Sequence, residues 1–429
     1  MRYYNIYMLA LMLLTIQLSV AQKKDFQVVS KNFLDTYSSL QIPNLHVNYV
    51  QHLKSIKSIK DISKQEDFFK AIEQELSDVD FNSLDEYQRL DYCIMNYEIA
   101  LNFERISLEK NWNYNSQLDD SKSIYSVNNG KDWYAYLLKR WVNDDVNPND
   151  IFQFGLEEIE KVKTEMKKLQ EESGLSEEIF NVHLKDSSFF YYNVKDVEKA
   201  FNYIKKEVAK STPNIFPYVK EILEVNIAQG SNASLAHAPA YYNNSTFFFN
   251  FFDKPFNKRQ IDWIYIHEGI PGHHYQITVN NMVKRTEIQQ LFWYPGFIEG
   301  WGAYVEYLGK EMGVYKSIYD EYGKWEWDLI RSVRVALDVG INYYGWSDDI
   351  AISFWKKHIF DQDDIGWREI GRMKRWPAQV VTYKYGADTF LTLLNESKKN
   401  KNFDYMTFHK KLLEYGDIPI AVFKRINNN

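Results

Sequence analysis

Cysteine is almost absent from this chain, which has a single cysteine, Cys93, in 429 residues. No disulfide can form within the chain, so its stability has to come from a packed core. Cys93 lies in the segment DYCIMNYEIAL, whose apolar spacing is typical of a helix. We therefore expect Cys93 to be a buried structural thiol.

An excess of positive charge is also lacking, because 51 Lys and Arg face 58 Asp and Glu, for a net charge of -7. A protein that tracks a phosphate backbone needs a basic surface, so nucleic acid is excluded as an expected partner. Aromatic residues are abundant at 17%. They suit either large buried clusters or a deep substrate cleft.

Long apolar runs are missing except at the N-terminus, where residues 7 to 20 follow the positive Arg2. Small residues at Ser19 and Ala21 predict a signal peptide, residues 1 to 21, cut after Ala21. A membrane span needs ~20 apolar residues, so an uncleaved anchor is the less favoured alternative. Gln22 rather than cysteine follows the cut, which does not favour a lipid anchor. We expect a secreted or periplasmic protein with no membrane span after signal removal.

The rest of the chain reads as one mostly helical domain, residues 22 to 429, with the candidate metal-binding half at about 230 to 429. Apolar residues recur at helical spacing over 25 to 40, 64 to 77, 83 to 108 and 148 to 172, and again from about 258 onwards. Residues 111 to 130 and 143 to 149 read as loops. Residues 235 to 252 contain two aromatic runs around Asn243 to Ser245 and predict a β-hairpin or edge strands.

Histidine is scarce, yet three of the nine histidines lie in the segment HEGIPGHHYQ, residues 267 to 276. The common zinc motif H-E-x-x-H fails here, because Pro271 stands four residues after His267. In a straight helix His273 would lie ~9 Å further along and about 120° round, too far for a shared ion. Pro271 and Gly272 predict a break that could return His273 to His267. We favour His273 as the second ligand, with His274 as the alternate.

A third ligand is expected on the next helix, where FIEGWGAYVE contains Glu299. Two imidazoles and a carboxylate form a typical catalytic zinc site with one position left for water. Glu268 is the predicted proton acceptor from the metal-activated water. Glu306, seven residues after Glu299, is expected to orient a ligand. The sequence therefore predicts one Zn²⁺ per chain.

Together with RSVRVALDVGIN and EIGRMKRWPAQVVTYKYG, these segments resemble a bacterial family catalogued as domain of unknown function 885. The resemblance runs from about residue 230 to the C-terminus, and more loosely back to about 30. It implies a distant relationship to zinc peptidases of the gluzincin type, and hence a large helical zinc-peptidase-like fold with a deep groove. Two positions depart from the family pattern: Asn342 stands for a usual His, and Ala378 for a usual Gly.

Further site residues come from the same segments. Tyr383 is the first candidate for a catalytic donor to the oxyanion, because a phenol donates without carrying charge. The predicted substrate-binding residues are Arg334, Arg372, Lys384 and Tyr241. Asp338 is a further alternate ligand or ligand-orienting residue. For the two arginines, a salt bridge to Asp338 or a nearby Glu is the competing interpretation.

The predicted function is a zinc metallopeptidase that cleaves short peptides. Two alternatives stay open: a binding protein on a peptidase scaffold, and a metal-dependent amidase or esterase acting on a non-peptide compound. The metal chemistry of peptide and other amide hydrolysis is the same, so the motif does not separate them.

Overall fold

The structure, a computed structural model, describes residues 24–220, 222, 224–232, 239–251 and 254–427. The chain is mainly helical, as the sequence predicts. The predicted signal peptide, residues 1 to 21, lies outside the described residues.

The first part of the chain is a series of helices with short connections. Their bounds are α1 Phe26–Tyr37, α2 Tyr49–Lys54, α3 Ile59–Ser77, α4 Glu86–Lys110, α5 Gly130–Trp141, α6 Pro148–Glu172 and α7 Glu177–His183. Helix α6 begins where Asn147 accepts a hydrogen bond from the backbone N–H of Asp150 and Pro148 occupies the first turn. Both residues favour a helix start, since the side chain caps a free N–H and proline needs none.

Short strands surround one long helix in the middle of the chain. The helix is α8 Val194–Ser211. The strands are β1 Phe190–Tyr191, β2 Asn226–Gln229, β3 Ala240–Asn243, β4 Thr246–Phe249 and β5 Phe256–Asn257. β1 pairs antiparallel with β5. β4 pairs antiparallel with β3 and parallel with β2, which gives the order β2–β4–β3.

The hairpin of β3 and β4 confirms the predicted one. Its two turn residues, Asn244 and Ser245, have φ of 46° and 57°. Positive φ at both central residues matches the twist of the flanking strands, and asparagine tolerates it well. The parallel partner β2 was not predicted, because its sequence carries no alternation of its own.

The last part of the chain returns to helices. Their bounds are α9 Ile261–Glu268, α10 His273–Met282, α11 Pro295–Glu306, α12 Ile318–Asn342, α13 Asp348–His358, α14 Asp363–Arg375, α15 Val381–Ser397, α16 Tyr405–Leu413 and α17 Ile420–Asn427.

Two helix pairs organise this part of the molecule: α12 packs along α6, and α11 packs along α15. Gly155 allows the first close approach, since a Cβ there would lie 2.8 Å from the backbone nitrogen of Ala336. One apolar core includes residues from Phe26 to Phe423. Cys93 is buried and free, as predicted.

No helix among the described residues is both long and apolar enough to cross a membrane.

Candidate metal centre

The predicted helix break separates the two histidines. Helix α9 ends at Glu268 and α10 begins at His273, with Gly269 to Gly272 between them. The chain crosses closely over the end of α9, because a Cβ on Gly272 would lie 1.9 Å from the carbonyl oxygen of His267. Only glycine fits this crossing. The indole Nε1 of Trp301 donates to the carbonyl of Pro271 at 2.9 Å and ties the break to α11.

Three of the predicted ligands converge. His267, His273 and Glu299 each offer one donor atom, and these atoms lie within 4.8 Å of one another. The two imidazole rings are 4.7 Å apart at 84°. His273 Nε2 lies 3.5 Å from Glu299 Oε2. Tetrahedral ligands around Zn²⁺ are about 3.4 Å apart, given bonds of ~2.0–2.1 Å. The donor set is therefore slightly wider than a zinc site and of the right chemistry for one.

A glycine gives the two rings their place. Gly302 lies on α11, and a Cβ there would be 2.8 Å from His267 Cε1 and 3.0 Å from His273 Cε1. Real Cβ contacts are longer than this, so any side chain would push the rings away. The second glycine of the segment EGWG thus belongs to the site, although it carries no functional group.

A buried ion pair orients His267. Its Nδ1 lies 2.7 Å from Glu306 Oε1, and Glu306 in turn receives both terminal nitrogens of Arg331, at 2.6 and 2.7 Å. Burial alone would raise the pKa of Glu306, but the charge of Arg331 brings it below its usual value. His267 is thereby held with Nε2 towards the cluster. His273 has no such support, since its Nδ1 is buried without a hydrogen-bond partner among the described residues.

Glu306 has the orienting position expected for it, whereas Arg331 was missed by the sequence analysis. Arg331 lies on α12, one turn before the predicted Arg334. Helical spacing predicts which face a residue shares, but it does not identify a partner on another helix.

Glu268 lies beside the cluster at the end of α9, where His267, His273 and Glu299 all influence its carboxyl group. Burial raises the pKa of Glu268 above its usual value. For Glu299, burial is outweighed by the hydrogen bond with His273, which brings the pKa below its usual value. Of the two carboxyls, Glu268 therefore has the higher pKa.

Tyr383 also belongs to this region. Its ring stacks against the ring of His267 at 6.2 Å and 22°. Burial raises the pKa of its phenol, and the charge of Glu299 adds to the effect. Its O–H group is consequently kept protonated and able to donate.

His274 turns away from the cluster. Its Nδ1 lies 2.8 Å from the hydroxyl of Tyr242 on β3. Of the two adjacent histidines, His273 therefore joins His267 and Glu299, and His274 links α10 to the hairpin. Tyr241, the neighbour of Tyr242, stacks on Phe248 within the hairpin and is not part of the cluster.

The structure places Arg334 and Arg372 beside Tyr383. The guanidinium carbon of Arg334 lies 5.4 Å from the centre of the Tyr383 ring, and the charge of Arg372 acts on the Tyr383 hydroxyl. Arg334 is buried and pairs with Glu369 at 3.1 Å, so the competing salt-bridge interpretation holds for it. Arg372 is partly exposed, with 23% of its side chain accessible.

Two predicted site residues have other roles in the structure. Lys384 is buried and pairs with Glu158 at 2.8 Å and Asp328 at 3.0 Å, so it does not face a substrate cleft. Asp338 is not a ligand, because it accepts hydrogen bonds from the Tyr134 hydroxyl at 2.7 Å and the Ala378 backbone at 2.8 Å. Both corrections have the same physical reason: a polar or charged side chain buried on a helix finds its hydrogen-bond or ion-pair partners on other elements of the core.

Asn342 belongs to the same core. Its amide nitrogen donates to Asp338 Oδ1 at 3.1 Å and to the Met373 carbonyl at 3.0 Å. Asn342 therefore contacts Asp338, which accepts the hydrogen bond from the Ala378 backbone, and does not contact the three candidate ligands. Ala378 itself has φ of 69°, which accounts for glycine in the family pattern.

Two surface cavities lie along α8 and share Lys199 and Tyr203, and no residue of the cluster lines either of them. The deep groove expected from the resemblance stays a prediction.

Solved structures with a similar fold come from two bacteria. One is a provisionally assigned lipoprotein of Colwellia psychrerythraea, 21% identical, with a TM-score of 0.65 over 88% of this chain and 69% of that one. The other is a provisionally assigned lipoprotein of unknown function from Shewanella oneidensis, 17% identical, with a TM-score of 0.58 over 94% of this chain and 82% of that one. At this identity the likeness concerns the fold alone.

None of the curated proteins matches the chain significantly. The sequence profile described as "Bacterial protein of unknown function (DUF885)" matches residues 113–426, which include every member of the candidate metal centre. The chain belongs to the DUF885 family.

Proposed function

We propose that this protein is a zinc-dependent hydrolase that cleaves the amide bonds of short peptides. The convergence of His267, His273 and Glu299, with donor atoms within 4.8 Å, carries the proposal. Two imidazoles and one carboxylate favour zinc among the divalent metals. The resemblance of the HEGIPGHH segment to gluzincin-type peptidases supports the same reading.

The roles of the surrounding residues follow from their chemistry. Zn²⁺, when bound, supplies Lewis-acid activation of water and of the substrate carbonyl. Glu268 accepts the proton that the attacking water gives up and returns it to the leaving amine. Tyr383 donates its O–H to the oxygen of the attacked carbonyl as negative charge develops there. Arg331 and Glu306 keep His267 in one orientation.

The first test is the metal content of the purified protein after zinc is added. We expect about one zinc per chain in the wild type, and its loss in His267→Ala and Glu299→Ala, because three protein ligands are needed to hold it. His274→Gln is the matched control: it changes the neighbouring histidine outside the cluster and should keep the metal. A wild type that takes up no zinc would contradict the proposal.

Hydrolysis is tested separately with Glu268→Gln. This variant should bind zinc as the wild type does and lose nearly all cleavage of a peptide library, since general base catalysis contributes roughly 10²–10⁴-fold. Full activity in Glu268→Gln would remove Glu268 from the mechanism.

We also propose that the protein acts outside the cytoplasm. The N-terminal pattern of Arg2, the apolar run and Ala21 supports export. N-terminal sequencing of protein expressed from the full gene should give a mature chain starting at Gln22. A chain that keeps its first residues would contradict cleavage.

A further inference from the structure

Three arginines surround one glutamate next to the candidate metal centre. Glu369 lies 3.1 Å from Arg334 and 3.6 Å from Arg372, and the charge of Arg368 also acts on it. Three positive charges thus face one negative charge. A partly buried excess of like charge is costly unless an anion joins it.

These arginines also have unused hydrogen-bonding capacity. Each guanidinium carries five N–H donors. The Nε atoms of Arg334, Arg368 and Arg372 are all buried and lack a hydrogen-bond partner among the described residues. The Nη2 of Arg372 donates to Gln379 Oε1 at 2.7 Å. Its 3.6 Å approach to Glu369 is an ion pair but is too long for a hydrogen bond.

Two other carboxyls, Asp338 and Glu299, interact electrostatically with Arg372 but do not balance the charge of the three arginines. Asp338 is bonded to Tyr134 and Ala378, and burial raises its pKa to about 7. Glu299 belongs to the candidate ligands. The cluster of Arg334, Arg368, Arg372 and Glu369, called here the arginine cluster, is therefore short of acceptors.

Solvent access distinguishes Arg372 from Arg334, and contact with Tyr383 places Arg372 next to the candidate metal centre. The side chain of Arg372 is 23% exposed, whereas that of Arg334 is 2% exposed. Arg372 interacts with the hydroxyl of Tyr383, and the Tyr383 ring stacks on His267 at 6.2 Å. An anion on Arg372 would hence lie about one tyrosine side chain away from the candidate metal ligands.

We propose that Arg372, supported by Arg334 and Arg368, binds a carboxylate of the substrate close to the bond that is cleaved. The planar guanidinium matches the two oxygens of a carboxylate. The carboxylate belongs either to the C-terminus of a short peptide or to an acidic side chain. This inference rests on the proposed function, because it places the arginine cluster at the substrate's end of that site.

Binding is measured by calorimetry on zinc-treated Glu268→Gln protein, so that peptides are not consumed. Three acetylated alanine peptides of equal length are compared: one with a free C-terminal acid, one with a C-terminal amide, and one amide with a glutamate as its last residue. We expect a carboxylate to improve affinity roughly ten- to hundredfold, the usual effect of a charge-assisted hydrogen bond. Preference for the free acid assigns the C-terminus, and preference for the glutamate peptide assigns a side chain.

The same comparison in Arg372→Gln should abolish the preference and leave the amide peptide unaffected. Arg375→Gln, an exposed arginine on the same helix, is the matched control and should keep it. If Arg372→Gln fails to fold, Arg372→Lys keeps the charge without the planar fork and should show a reduced preference. Equal binding of acid and amide, or no binding of any peptide, would overturn the inference.

The two proposals fail separately. A carboxylate preference without hydrolysis by the wild type would leave the arginine cluster as a binding site and remove the hydrolase. Hydrolysis that is indifferent to the carboxylate would keep the hydrolase and remove this role of Arg372.

Discussion

Gly302 of α11 faces the rings of both candidate histidine ligands. In Gly302→Ala the new methyl group would contact the rings of His267 and His273 at 3.0 Å or less. We expect zinc affinity to fall about ten- to hundredfold, the usual effect of disturbing the support of a ligand. The helix itself should not weaken, because alanine favours helix over glycine by ~1 kcal/mol. Competition with a chelator measures the affinity, and unchanged affinity with an intact helix signal would contradict this role.

Arg331 supplies the positive charge that pairs with the buried carboxylate of Glu306. Arg331→Met leaves the carboxylate of Glu306 buried without its cation. Breaking a buried pair on one side costs about 3–5 kcal/mol. Urea unfolding should show this loss, whereas Arg375→Met, on an exposed arginine, should change little. The double variant Arg331→Met/Glu306→Gln should recover part of it, and a loss of less than ~1 kcal/mol in the single variant would contradict the argument.

At the scale of single residues, the sequence predicted which residues form the candidate site better than it predicted their interaction partners. The spacing and the Pro271–Gly272 pair were enough to favour His273, and the structure brings His273 to His267. Lys384 was assigned to substrate because nothing local shows that Glu158 and Asp328 reach it from two other helices. The ion pairs of Lys384 join residues far apart in the chain, so a single sequence does not reveal them.

The contact of α11 with α15 depends on three glycines whose backbones meet, Gly296 and Gly300 of α11 and Gly386 of α15. A Cβ on Gly386 would lie 2.5 Å from the carbonyl oxygen of Gly296 and 2.6 Å from the Cα of Gly300. Gly386→Ala should lower the free energy of unfolding by about 1–3 kcal/mol, as overpacking does. Gly371→Ala is the matched control: the nearest atom to its Cβ is Arg375 Nη1 at 3.4 Å. It should stabilise α14 by up to ~1 kcal/mol. Similar thermal unfolding of both variants would rule out the close contact.

Elements with local signals were predicted well. The predicted helix at 148 to 172 is α6, because Asn147 and Pro148 mark its start and its apolar stripe is continuous. The hairpin followed from the polar turn between two aromatic runs. Strand β2 was not predicted, since a parallel partner is joined by a distant segment and leaves no local signature.

The stability of the whole molecule should depend on Asp262. Burial, together with Asp320, raises the pKa of Asp262 to about 8. The folded state then keeps a proton that the unfolded chain loses near its ordinary pKa of ~3.9. The stability from this proton is complete below that value and is lost as the pH rises towards 8.

Asp262→Asn should therefore match the wild type at pH 3–4 and become the more stable of the two as the pH rises, by up to about 5 kcal/mol at pH 8, since each unit of pKa shift corresponds to ~1.4 kcal/mol. Urea unfolding across this range measures the difference. Asp61→Asn is the control of opposite sign, because the hydrogen bond from Ser58 holds the pKa of Asp61 below its usual value. A stability difference for Asp262→Asn that is constant with pH would contradict the assignment.

The helix break between Glu268 and His273 has a consequence for assembly. His267, His273 and Glu299 lie on three separate helices, α9, α10 and α11. No single helix contains the donor set, in contrast to a motif with both histidines on one helix face. During refolding, the far-ultraviolet signal would therefore rise before any metal is captured. The absorbance of a coloured ion such as Co²⁺, followed during refolding, would then report the time at which these three helices dock.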